Sequence, residues 1–192
     1  MRLSPRLGTT LILLGAIVTS AGCATLTKEQ CTIGNWQAIG YTDGVAGYYA
    51  DRLASHAKAC AKTGVSPDYQ AWERGRQQGL KQYCTPTNAY ELGRRGQQLN
   101  GVCPANMANQ LQQLNAQGRE YYTLNNQLLE EQRQLEKYQD EFKRLREGEL
   151  LDFKSEKEAR SRLLSLPDKI RSSRQRIANA EERLRRLDQL PH

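Results

Sequence analysis

His56 is the histidine that falls within the cysteine-bearing part of this 192-residue chain; His192 is the C-terminal residue. An imidazole serves as a general base when a carboxylate orients it and a nucleophile stands within hydrogen-bond reach. Asp43 and Asp51 are the candidate carboxylates. Ser55 adjoins His56, but residues one apart on a helix face different ways, so Ser55 is not presented to the ring. An enzyme centred on His56 and Asp43 is therefore one reading. The plainer expectation is that His56 hydrogen-bonds inside a small domain, with no catalytic residue.

A second chemistry is recognition. Aromatic rings beside arginines bind glycans or peptides, and Asp43, His56, Trp72, Arg74 and Tyr90 make a candidate binding surface. Arg76, Arg94 and Arg95 follow the same glycine motifs and would extend a cationic face, unless they are simply solvated. Tyr48, Tyr49 and Tyr83 add to the aromatics, which in a disulfide-stapled domain more often form the core. No phosphate loop and no cofactor motif occurs, and neither a metal nor a cofactor is expected.

The cysteines carry the firmest chemistry. Cys31, Cys60, Cys84 and Cys103 all precede residue 104. Zinc would call for close pairs such as C-x-x-C, and these gaps are far wider. An even number in an exported domain implies disulfides. The cysteines permit three pairings, and their spacing does not choose among them. If the first two helices lay antiparallel, Cys31 would come beside Cys60 and leave Cys84 for Cys103.

Cys23 stands apart. Arg2 and Arg6 precede an apolar run from Leu11 to Val18, and small residues lead on to Cys23. That run is too short to span a bilayer, which takes about 20 apolar residues. Residues 1–22 therefore read as a cleaved leader. Ser20-Ala21-Gly22-Cys23 is similar to a bacterial lipobox, with Ser20 where that motif usually has leucine. Cys23 is the expected lipid-bearing N-terminus, and residues 23–30 a lipidated linker. Ala24 is not the aspartate associated with inner-membrane retention, so the periplasmic face of the outer membrane is the expected location. Losing Arg2 and Arg6 takes the net charge from +7 to about +5. The surplus is spread along the chain and forms no basic stripe with stacking platforms. No nucleic-acid partner is expected.

These residues need elements to position them. Residues 31–104 hold both tryptophans and most of the glycines. Trp36 leads to Gly40, Gly44 and Gly47; Trp72 leads to Gly75 and Gly79; Tyr90 leads to Gly93 and Gly96. At helical pitch such glycines share a side with the aromatic. Glycine inside a helix costs about 1 kcal/mol relative to alanine, so the repeated cost implies a close approach by another helix backbone or a ring. Helices are expected near 34–46, 51–63, 67–82 and 87–98, with Asp51 and Asp68 as caps.

Residues 105–192 are rich in Gln, Glu, Arg and Leu. Leu114, Tyr121, Leu128, Leu135 and Phe142 recur every seven residues, with Leu124, Tyr138 and Leu145 in companion positions. Gln117 and Glu131 weaken this seam. A second seam runs through Leu163, Leu166, Ile170, Ile177, Ala180, Leu184 and Leu187. Gly148 breaks the first helix, and Ser155 to Glu158 has capping-box spacing. The expectation is a helical hairpin, about 105–147 returning as 155–189, with arms of roughly 50–60 Å. Leu150, Leu151 and Phe153 fall at its tip. Pro167 should kink the return arm or restart it. The rival is one interrupted helix in a parallel oligomer.

The ordered set Cys31, Trp36, Gly40, Asp43-Gly44, Gly47, Leu53, His56, Cys60, Gly64, Asp68, Gly75, Gly79-Leu80, Tyr83-Cys84, Gly93, Gly96 and Gly101-Val102-Cys103 resembles the bacterial family catalogued as domain of unknown function 2799. The likeness covers residues 29–104 by motif and the remainder by character. Pro167 departs from the family's tail. The resemblance implies an envelope location and offers no activity. The expected fold is all-α, a small disulfide-stapled, glycine-rich helical domain followed by a long antiparallel coiled-coil hairpin. The expected function is that of a non-enzymatic outer-membrane lipoprotein with a structural or protein-interaction role. Its partners would be the membrane, through the lipid, and an envelope protein or second copy, through the coiled coil. A wall-binding module and an enzyme at His56 and Asp43 are the alternatives.

Overall fold

The computed structural model describes residues 25–149 and 152–189. The leader, Cys23, Leu150, Leu151 and His192 lie outside the described residues. Among the described residues the chain is helical with no strand: α1 Lys28–Ile33, α2 Trp36–Val45, α3 Arg52–Cys60 followed by a 3₁₀ turn Ala61–Thr63, α4 Tyr69–Tyr83, α5 Pro86–Arg94, α6 Ala105–Arg146 and α7 Glu156–Asp188.

Side chains start most of these helices. Asp68 accepts from the Ala71 amide and Thr85 from the Asn88 amide, with Pro86 in the first turn of α5. Asn35 caps α2 in the same way. Each such cap is worth about 1 kcal/mol. Asp51 occupies the cap position of α3 without a side-chain cap bond. Before α7, Ser155 accepts from Glu158 N at 3.3 Å, and Glu158 reaches back to Lys154 N at 3.2 Å. The first arm ends at Gly148, whose φ of 88° suits glycine.

The glycines explain the packing. A methyl on Gly40 would overlap the Trp72 carbonyl oxygen and lie 2.7 Å from its carbon; one on Gly75 would overlap the Gln37 carbonyl. Gly44 and Gly79 repeat the arrangement one turn on, against Arg76 and Tyr41. The contacts advance in the same direction along both helices, so α2 and α4 lie parallel with backbones touching. Gly93 of α5 and Gly118 of α6 meet likewise. Gly47 and Gly96 instead receive rings, those of Tyr83 and Tyr122. Both forms of the expected close approach are present.

Three apolar clusters follow one another. The first joins Leu26, Cys31, Trp36, Cys60 and Trp72. The second joins Leu80 and Tyr83 of α4, Tyr90 of α5, Leu99, and Leu111 and Leu114 of α6. The third joins Leu145, Ala159 and Leu166, with Tyr138, Phe142 and Phe153 against them. The middle cluster crosses residue 104, so the first turns of α6 complete the glycine-rich part. The seam accordingly divides: Leu114 serves that cluster and Tyr121 receives Arg94 of α5, whose guanidinium lies 3.8 Å from the ring centre.

Beyond that point α6 and α7 form the expected antiparallel hairpin. Arg162 pairs with Glu141, Arg176 with Glu131 and Arg183 with Glu120, an order that descends along one helix as it ascends along the other. At 1.5 Å per residue, the 42 residues of α6 span about 63 Å and the 33 of α7 about 50 Å. Glu131 is accommodated in the seam by Ser173, at 2.9 Å, and Arg176. Pro167 lies inside α7, which continues through it as one helix rather than restarting. Leu166 beside it is fully buried against α6.

The disulfides are Cys31–Cys60 and Cys84–Cys103. Both pairs are the ones expected, but the route to the first differs. Cys31 belongs to α1, a short helix in and beyond the segment read as linker, and α2 packs on α4 rather than α3.

Candidate functional site

Asp43 is the centre of a buried polar network. The glycine stripe of α2 holds that helix against α4, which turns Asp43 inward, where it is 5% exposed. Its Oδ2 accepts from Trp72 Nε1 of α4 at 2.8 Å and from His56 Nε2 of α3 at 2.7 Å. Its Oδ1 lies 3.7 Å from Arg52 Nε. The other ring nitrogen of His56, Nδ1, is 2.8 Å from the Thr25 hydroxyl. His56 is 1% exposed and Trp72 is fully buried. A buried carboxylate needs such partners, because an unpaired one costs several kcal/mol. The Cys31–Cys60 disulfide belongs to the adjacent apolar cluster.

The chain hydroxyl–imidazole–carboxylate has the components of a nucleophilic relay. In the fold it acts as a clamp that ties Thr25 to α3 and α2: both ring nitrogens of His56 are engaged. An open groove of about 550 Å³ reaches the trio, lined among others by Thr25, Ile33, Asp43, Tyr48, Arg52 and His56. Arg52 also lies over the Tyr48 ring, 4.2 Å from its centre. No group of three or more His, Cys, Asp or Glu side chains suited to a metal occurs among the described residues.

The five candidate surface residues do not make one face. Asp43, His56 and Trp72 come together, inside. Tyr90 is buried in the next cluster, and Arg74 alone is exposed. The wider cationic face is also broken up. Arg76 is buried, with Nε 2.8 Å and Nη2 2.9 Å from the Glu73 carboxylate, and donates to the Tyr48 carbonyl at 3.1 Å. The Arg76 hydrogen bond holds the Glu73 carboxyl below the usual range, against desolvation. Arg94 is taken up by Tyr121 and, at 3.6 Å, by Asp188. Burial raises the Tyr83 hydroxyl, which accepts from Asn100 N at 2.9 Å.

Sequence reasoning paired His56 with Asp43 but missed Thr25, Trp72 Nε1 and Arg52 as partners. Thr25 falls in a segment with no periodicity, and the Trp72 contact spans 29 positions. Asn115 was also missed: it is 1% exposed, and it accepts from Leu99 N and donates to the Ala89 and Gln97 carbonyls. Asn115 follows the seam residue Leu114, outside the seven-residue pattern, so no local signal marked it.

No helix among the described residues is long and apolar enough to cross a membrane. No curated protein and no solved structure matches the chain. A family model does match, and its span runs from the start of α2 across residue 104 into α6, the same stretch that the glycine contacts and the second cluster bind together. Residues 35–120 match the model of the family described as protein of unknown function (DUF2799).

Proposed function

We propose that the protein is a non-enzymatic lipoprotein of the bacterial outer membrane, held by a lipid on Cys23 and facing the periplasm, whose helical hairpin engages a partner protein. The observation that carries this reading is the open surface of the arm. A two-helix hairpin encloses only part of its seam: Leu124, Leu145, Leu166 and Leu184 are buried, whereas Leu128, Leu135, Ile170 and Ile177 stay half-buried. Leu129 and Leu164 stand outside it, 48% and 72% exposed. Apolar side chains left on a long arm serve as anchors for another helix.

The two disulfides support an oxidising compartment. The burial of His56 and Asp43 favours a clamp over catalysis, and the burial of Trp72 and Tyr90 takes two of the candidate rings away from a wall-binding face. The test is photo-crosslinking in whole cells from Leu129 and Leu164, with Arg133 and Arg185 as exposed polar controls. The reading expects one envelope protein, or a second copy of this chain, captured from the leucines and not from the arginines. Capture that ignores position counts against it.

A further inference from the structure

The groove beside the clamp lies where the proposed lipid would leave the fold, and this inference rests on that lipid. Ala24 is the single residue between Cys23 and Thr25. Thr25 is fastened to His56 at 2.8 Å, and through it to Asp43. Two residues of extended chain reach about 7 Å. The Cys23 backbone therefore stays within that distance of Thr25, and only the cysteine side chain and the glyceryl group separate it from the acyl chains. Whichever face surrounds Thr25 is brought to the headgroups.

That face carries exposed apolar and aromatic side chains. Ile33 is 76% exposed and Tyr48 is 40% exposed; both line the groove with Thr25. Tyr41 and Val45, 42% and 43% exposed, lie on α2 one helical step from Ala38 and Thr42, which line the same groove. Tyrosine rings favour the bilayer interface, where the ring is apolar and the hydroxyl stays wet. Arg52, stacked on Tyr48, adds a cation for lipid phosphate.

We infer that the face formed by Ile33, Tyr41, Val45 and Tyr48 rests on the phospholipid surface that holds the Cys23 lipid, so that the Thr25–His56–Asp43 clamp fixes the orientation of the whole molecule on the membrane. The arm then leaves the surface in a set direction instead of swinging on a tether.

The experiment uses the full mature chain purified from membranes and reconstituted into vesicles of phosphatidylethanolamine and phosphatidylglycerol. Val45→Cys and Tyr41→Cys are labelled with a polarity-sensitive fluorophore, and Leu164→Cys on the arm is the control. The expected result is blue-shifted emission at 45 and 41, quenched by brominated lipid, with neither effect at 164. Emission at 45 and 41 matching that at 164, in protein whose intact mass carries the acyl chains, overturns the inference and leaves the anchor standing. An intact mass without acyl chains overturns the anchor, and the inference with it.

Discussion

Replacing Gly40 with alanine puts a methyl group where the Trp72 carbonyl already is. The obstacle is backbone, so no side-chain rotation relieves it, and α2 must move away from α4. Overpacking of this kind costs about 1–3 kcal/mol, occasionally more. Alanine returns about 1 kcal/mol through helix propensity. With an overlap onto backbone the overpacking cost lies at the upper end of its range, so the net effect expected for Gly40→Ala is a loss of about 2 kcal/mol. Gly75→Ala meets the Gln37 carbonyl in the same interface and should lose a similar amount. Once the helices have parted for one methyl, they have parted for both. The double variant should therefore lose less than the sum, a coupling of about 1 kcal/mol. Gly101→Ala is the control: its methyl meets only the Tyr49 hydroxyl, at 3.6 Å, and should stay within about 0.5 kcal/mol of the parent. Trp36 and Trp72 both flank this interface and are the chain's two tryptophans, so urea unfolding followed by tryptophan fluorescence reads it without interference from the arm. Unchanged or increased stability in Gly40→Ala refutes the close-approach argument, because propensity alone would then be acting. Full additivity in the double variant refutes the shared helix separation.

Three further outcomes follow from the same structure. Asp43→Ala leaves the buried donors of His56 and Trp72 unpaired and should lower stability by about 3 kcal/mol, with Asp43→Asn less severe; fluorescence-detected urea midpoints check the order. Opening Cys31–Cys60, which spans 29 residues, should remove about 3.5 kcal/mol, and opening Cys84–Cys103, which spans 19, about 3 kcal/mol, measured on Cys-to-Ser pairs. The Arg176 hydrogen bond holds the Glu131 carboxyl below its ordinary value. Its contribution is thus complete above the unfolded carboxyl value and lost as pH falls through the lower folded one. The partly exposed pair is worth no more than about 1 kcal/mol, so Glu131→Gln should reduce the acid sensitivity of hairpin melting slightly, read by circular dichroism from pH 6 down to about 3.

Much of the fold is legible in the chain because it rests on local signals. The seven-residue recurrence from Leu128 to Phe142 and the break at Gly148 are enough for a hairpin. The aromatic–glycine units are enough for helices in backbone contact. What escapes the sequence depends on partners far along it. Nothing near Gly40 says that its partner is the Trp72 carbonyl rather than α3, so the expected antiparallel first pair differs from the parallel α2–α4 pair observed. Gly118 sits in a glutamine-rich run, where one glycine in a long helix carries no visible partner. The short α1 has too few turns for periodicity, and so residues 23–30, Thr25 among them, read as linker. The polar site was half legible for the same reason. His56 and Asp43 announce themselves by rarity and chemistry, whereas Thr25 and Trp72 join them only through the fold. Pro167 warned of a restart that the packing of Leu166 against α6 overrides.

The proposed address, the orientation of the base and the reach of the arm all depend on the N-terminus. The direct measurement is the intact mass, with N-terminal peptide fragmentation, of the mature protein extracted from cell membranes. The account predicts a chain that begins at Cys23 and carries diacylglyceryl on the thiol. A chain that begins elsewhere, or a Cys23 with a free thiol, contradicts it.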